Sequence, residues 1–113
     1  MSVISIIKNQ INKNPILIYM KGSPHFPSCG FSAKAVKILS LLKVKFKYID
    51  VLQNPDIRKE LPIFSNWPTF PQLWISGELI GGSDIIEDLF NSGKLKKIIK
   101  KCLKKNKTEN DVK

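Results

Sequence analysis

Cys29 stands where the loop Lys21-Gly22-Ser23-Pro24-His25-Phe26-Pro27-Ser28 gives way to Gly30-Phe31-Ser32, the opening of an amphipathic segment. Backbone N–H groups without helical partners and the positive end of the helix dipole meet at such a junction. Both favour a thiolate, the form that attacks disulfides and binds metals. Lys21 adds positive charge if the loop folds back. A small apolar Cys of the core fits poorly beside Pro27, Gly30 and polar neighbours, so Cys29 reads as reactive. A dithiol centre resolves its mixed disulfide with a second thiol three residues on, and position 32 is Ser. Intramolecular dithiol chemistry at this motif is therefore excluded. The second cysteine, Cys102, shares a helical face with Leu95, Ile98 and Ile99 and reads as core. His25 is the only His, which rules out a conventional His metal cluster, and it reads as a solvated loop residue. Gly82, Ser83 and Asp84 start a helix and so form a natural carboxylate-binding nest, with Ser83 also suited to capping. Glu87 and Asp88 read as the solvated side of that helix.

The elements that must carry these residues follow from periodicity. Ile4, Ile7 and Ile11 recur at helical spacing and predict a helix over 2–13. The apolar run Ile16-Leu17-Ile18-Tyr19-Met20 suits a buried strand. Ala35, Val36, Leu39 and Leu42 trace a helix after Cys29, and the alternation of Val44, Phe46 and Tyr48 with Lys45 and Lys47 predicts a second strand. Asn54-Pro55-Asp56 is a helix start, which Pro62 ends or bends. Gln72-Leu73-Trp74-Ile75, the turn Ser76-Gly77 and Glu78-Leu79-Ile80 make a hairpin. A helix from Gly82 to about Phe90 and a Lys-rich helix from about Lys94 complete the chain. Helices between the early strands force parallel pairing, and the late hairpin is antiparallel. The expected fold is α/β: a four-stranded mixed sheet flanked by helices, in the thioredoxin-like arrangement. Trp67 and Trp74 suit either core or interface.

Composition bounds the setting. A chain of 113 residues with 42% apolar content fits one compact domain. We place that domain at 1–103 and read 104–113 as a Lys-rich, disordered tail. Two Cys make no disulfide framework and suit a reducing compartment. The longest apolar run is far short of the ~20 residues that cross a bilayer, and no charge precedes Lys8 as a signal peptide would require. A cytoplasmic protein without membrane contact is expected. The net charge of +10 invites a nucleic-acid reading. Its distribution argues otherwise: residues 1–93 carry ten bases and seven acids, and 94–113 carry nine Lys and two acids. The excess belongs mostly to the tail, and Lys lacks the planar fork that reads bases and phosphates. No nucleic-acid partner is expected.

Three motifs then carry a resemblance. Lys21-Gly22-Ser23-Pro24 with Pro27-Ser28-Cys29-Gly30-Phe31-Ser32 resembles the active-site loop of the monothiol, CGFS-type glutaredoxins. Trp67-Pro68-Thr69-Phe70-Pro71-Gln72-Leu73 is similar to their second signature, and Gly81-Gly82-Ser83-Asp84 to their third. Together they cover most of residues 15–93, and the length matches the single-domain bacterial form. The resemblance implies a thioredoxin fold, glutathione binding and a labile [2Fe-2S] cluster shared by two protomers. Each protomer would supply Cys29, and each of two glutathiones its own thiol. It also assigns Lys21 and Arg58 to the glycyl carboxylate of glutathione. Arg58 is the only Arg against 18 Lys, and a bidentate carboxylate contact is a role Lys cannot copy. Phe70-Pro71 matches the family's cis-proline turn, where the backbone of Phe70 meets the glutathione cysteine. Gly82, Ser83 and Asp84 would hold the γ-glutamyl end. In many relatives position 83 is Cys, so Ser83 removes any disulfide between that site and Cys29.

Function in iron–sulfur cluster assembly, storage or transfer is the leading expectation, as a glutathione-bridged homodimer or a heterodimer with a BolA-like protein, serving apo iron–sulfur clients. The alternative is an enzyme that reduces glutathionylated proteins, with Cys29 as the catalytic nucleophile and free glutathione as resolver. A third reading is a basic binding module that uses the Lys-rich C-terminus.

Overall fold

The computed structural model describes the backbone of residues 2–112 and the side chains of 2–106. The elements run α1 (Val3–Lys13), β1 (Ile16–Met20), α2 (Gly30–Leu41), β2 (Lys47–Asp50), α3 (Pro55–Ser65), β3 (Gln72–Ile75), β4 (Glu78–Gly81), α4 (Ser83–Asn91) and α5 (Lys94–Val112). The strands form one sheet in the order β2-β1-β3-β4. β1 pairs in parallel with β2, from Leu17 opposite Lys47 to Met20 opposite Asp50. It pairs antiparallel with β3, which pairs antiparallel with β4. This is the thioredoxin-like arrangement that the element order implied.

β1 is buried along its whole length because it lies inside the sheet and faces helices on both sides. Successive side chains of a strand point to opposite faces. Ile16, Ile18 and Met20 accordingly join Leu73, Ile75, Leu39, Ile86, Leu95 and Cys102 in the core beneath α2, α4 and α5. Leu17 and Tyr19 join Trp74, Ile7, Ile11, Ile57 and Leu61 in the core beneath α1 and α3. The Tyr19 hydroxyl donates to Gln10 Oε1 at 2.9 Å, and burial pushes this phenol above its ordinary value. An apolar run without alternation thus feeds two cores at once.

Three local expectations shift. β2 begins at Lys47, not at Val44, because β1 starts only at Ile16 and its register with β2 leaves Val44 and Lys45 no strand residue opposite them. Val44 and Phe46 instead pack half-buried against the core below α2. Pro62 does not end α3, which continues to Ser65 and stops where Asn66 takes φ 53°. Asn54 occupies the N-cap position but makes no side-chain cap bond; its Nδ2 donates back to Asp50 O at 2.8 Å. The backbone of α5 is helical to Val112, and the expected tail over 104–113 falls, from 107 on, outside the residues whose side chains are described. Among the described residues no helix is long and apolar enough to cross a membrane.

Leu39 is fully buried, whereas Leu41, two residues on in α2, is 59% exposed. Leu39→Ala should cost about 2–5 kcal/mol of stability by transfer and cavity terms. Leu41→Ala, with nearly the same helix propensity, should stay within about 0.5 kcal/mol. Urea denaturation of the two variants measures the difference.

Candidate functional site

Cys29 is the N-cap of α2, with extended φ/ψ of −151° and 150°. Its sulfur takes the place of the usual cap oxygen and accepts the Ser32 N–H at 3.3 Å. Ser32 is wholly buried, and its hydroxyl lies 3.5 Å from the same sulfur. That hydroxyl oxygen already accepts the Lys21 N–H at 3.1 Å. Its own hydrogen is therefore free to turn to the sulfur, which favours the anionic form. Burial alone pushes the Cys29 thiol up. The Ser32 hydroxyl, the backbone N–H groups of Ser32 and Phe31 and the charge of Lys21 together outweigh it, and the thiol lies below its ordinary value. The charge expected from Lys21 is realised because the loop folds back.

How the loop folds back is set by backbone geometry. Ser28 N–H donates to Lys21 O at 2.9 Å, while Ser23 and Phe26 exchange backbone bonds at 3.2 and 3.1 Å. Gly22 sits at φ 89°, and a Cβ there would lie 2.5 Å from Phe26 O and 2.6 Å from Ser28 N. Only glycine closes this turn. The Gly22 N–H donates to Asp50 Oδ1 at 3.0 Å, so the end of β2 holds the loop.

On the other side of the site the Phe70–Pro71 peptide bond is cis. Gln72, wholly buried, donates from Nε2 to Trp67 O at 3.0 Å and accepts the Trp74 Nε1–H at 3.3 Å, which fixes the turn to the sheet. A Cβ on Gly82 would stand 3.3 Å from both Pro71 O and Trp67 Nε1, so this glycine lets the start of α4 close on the cis-proline turn. Between them lies a pocket of about 260 Å³ walled by Phe31, Trp67, Thr69, Gly82–Asp84 and Ile85. Two polar atoms of its walls, Ser83 Oγ and Trp67 Nε1, are buried without a hydrogen-bond partner. Ser83 therefore does not cap α4 with its side chain; Gly82 holds the cap position.

The structure brings Lys21 and Cys29 together, and separately places Gly82, Ser83 and Asp84 on the pocket walled by Phe31 and Trp67. Phe70 is half-buried against the α1/α3 core and leaves its backbone at the turn. Arg58 is exposed in the first turn of α3, its N–H bonded to Asn54 O at 3.0 Å. Cys102 is buried in α5, its Sγ 3.7 Å from Pro15 O, and His25 is exposed in the loop. Among the described residues no group of three or more His, Cys, Asp or Glu is placed to hold a metal ion. Glu87 is half-exposed and pairs with Lys34 across α2 and α4. Sequence reasoning passed over Asp50 and Gln72 and left Trp67 undecided. Their roles rest on contacts with other segments, which periodicity does not report. Another cavity, about 590 Å³, lies where β1 and β2 begin, beside Ile16 and Phe46, and Cys29 is not among its walls. It is mainly apolar and contains no thiol.

Residues 16–80 match the family model described as Glutaredoxin. The chain is 60% identical to Glutaredoxin 4 of Haemophilus ducreyi over 106 residues, spanning 94% of this chain and 99% of that protein. It is 56% identical to Glutaredoxin 4 of Escherichia coli K12 over 108 residues, spanning 96% of this chain and 94% of that one. Among solved structures, reduced apo GrxS14 of poplar superposes with a TM-score of 0.78 at 36% identity, covering 90% of this chain and 94% of the poplar chain.

The pH profile of alkylation at Cys29 tests the geometry. In the native chain its midpoint should lie below that of an ordinary cysteine. Ser32→Ala should move it upward, because it removes one of the groups that stabilise the thiolate. Gly22→Ala should lower stability by at least about 1 kcal/mol, read from chemical denaturation.

Proposed function

The chain belongs to the glutaredoxin family, and from that premise we propose that it is a monothiol glutaredoxin that binds glutathione and carries a [2Fe-2S] cluster in assembly, storage or transfer. The observation that carries this reading is one accessible, thiolate-favouring sulfur at a helix start with Ser32, not a second thiol, beside it. The other thiol is buried in a different element.

Four cluster positions need four thiolates in the usual arrangement, and this chain offers one at its surface. The fit is therefore one ligand per protomer, with two protomers giving Cys29 and two glutathiones giving their thiols. For glutathione, the unpaired Ser83 hydroxyl and the start of α4 suit a charged terminus. In this reading Ser83, Gly82 and Asp84 hold the γ-glutamyl end and the Phe70 backbone the cysteine. Lys21 and Arg58 hold the glycyl carboxylate. Bound there, the cluster would be cargo: half its ligands belong to exchangeable small molecules. A BolA-like protein is the proposed heterodimer partner, apo iron–sulfur proteins are the proposed recipients, and the setting is cytoplasmic.

A second activity is favoured by the lowered thiol alone. The Cys29 thiolate attacks the glutathionyl sulfur of a glutathionylated protein, and the protein thiolate leaves and takes up a proton. A free glutathione thiolate then attacks the glutathionyl sulfur of the mixed disulfide, releasing glutathione disulfide and the Cys29 thiolate. No second protein thiol is required.

Anaerobic reconstitution with iron, sulfide and glutathione separates the two. A brown dimer with [2Fe-2S] absorption is expected from the native chain and a colourless monomer from Cys29→Ser. A colourless native chain, or a cluster that survives Cys29→Ser, overturns the cluster reading. Rapid turnover of a glutathione mixed disulfide without a cluster places the enzymatic reading first.

A further inference from the structure

Asp50 does not line the pocket, yet hydrogen bonds lead from it toward both Lys21 and Arg58. Its Oδ1 accepts the Gly22 N–H at 3.0 Å and the Leu52 N–H at 2.9 Å. Gly22 follows Lys21 directly, and the Lys21 N–H in turn reaches Ser32. From the same residue, the backbone carbonyl accepts Asn54 Nδ2–H at 2.8 Å and the Gln53 N–H at 3.1 Å. Asn54 stands at the start of α3, and its carbonyl accepts the Arg58 N–H at 3.0 Å.

The topology explains why a side chain is needed here. The ladder between β1 and β2 ends with Met20 opposite Asp50, and the Val51 N–H still reaches Met20 O at 2.9 Å. Beyond that pair β1 has no strand partner on this side, so Lys21 and Gly22 enter the loop without ladder bonds to β2. The Asp50 carboxylate adds one further rung. It ties the Lys21 turn to the same short segment, 50–54, from which α3 and Arg58 depart.

We propose that Asp50 is a positioning residue that fixes the spacing of Lys21 and Arg58, and thereby the recognition of a terminal carboxylate on an extended peptide thiol. This rests on the reading of those two cations as the glycyl-carboxylate site. Asp50 does not touch the ligand. It acts by holding two cationic elements, which come from segments 37 residues apart in the chain (58 − 21), at one separation. A bidentate contact loses strength steeply when its donors drift.

The test compares two probes that can neither form disulfides nor ligate a cluster: S-methylglutathione and S-methyl-γ-glutamylcysteine, which lacks the glycine. Both are titrated into the cluster-free full chain by NMR, with melting curves alongside. The native chain should prefer the tripeptide. Asp50→Ala should weaken the tripeptide about tenfold and change the dipeptide less than about twofold. Asp50→Asn keeps an oxygen acceptor for both N–H groups and should restore the preference. Asp50→Glu, one methylene longer, should erode it without loss of folding, and serves if the Ala variant fails to fold. Equal weakening of both probes in the Ala or Glu variant overturns the positioning role, as does an undiminished preference for the tripeptide. A native chain that binds both probes equally overturns the glycyl-carboxylate reading itself, and the inference falls with it.

Discussion

A sulfur in the place of a cap oxygen is the interaction on which this site depends. The first N–H groups of α2 have no partners within the helix, and Cys29 answers one of them with Sγ. Sulfur is a weak acceptor as a thiol and a far better one as a thiolate. The helix start and the anionic form therefore stabilise each other. The buried Ser32 hydroxyl adds to this, because its oxygen is engaged by Lys21 N–H and its hydrogen is left for the sulfur.

That arrangement requires β1 to end at a fixed height, since Lys21 is its next residue. The two cores hold β1 from both faces, so its end moves little relative to α2 above one face and α3 above the other. Gly22 then turns the chain where no side chain fits, and Asp50 secures the turn from the neighbouring strand. On the far side, Gln72 uses donors and acceptor alike to hold the cis-proline turn against β3. The site is thus built from loops each pinned by a sheet residue, Asp50 on one side and Gln72 on the other.

One accessible thiol per chain also limits what the site does by itself. A dithiol site completes its chemistry within one molecule. Here Ser32 stands where a second thiol would be and stabilises the single sulfur of the motif instead. The pocket between Phe31 and the start of α4 carries an unpaired Ser83 hydroxyl on its wall.

Sequence alone placed a single Cys at a helix start with Ser three residues on, because these are local features. It determined the fold class as well, since periodicity and the order of elements leave few ways to cover both faces of a four-stranded sheet. The strongly basic composition, by contrast, said little about the site. Only the tertiary structure decided where β2 begins, because strand limits depend on the partner's length and register as much as on alternation. It alone revealed Asp50, whose bond to Gly22 spans 28 residues, and the orphaned Trp67 and Ser83 atoms of residues that line one pocket. A local pattern reports what one segment buries; which backbone groups another segment must satisfy is fixed only when the two are brought together.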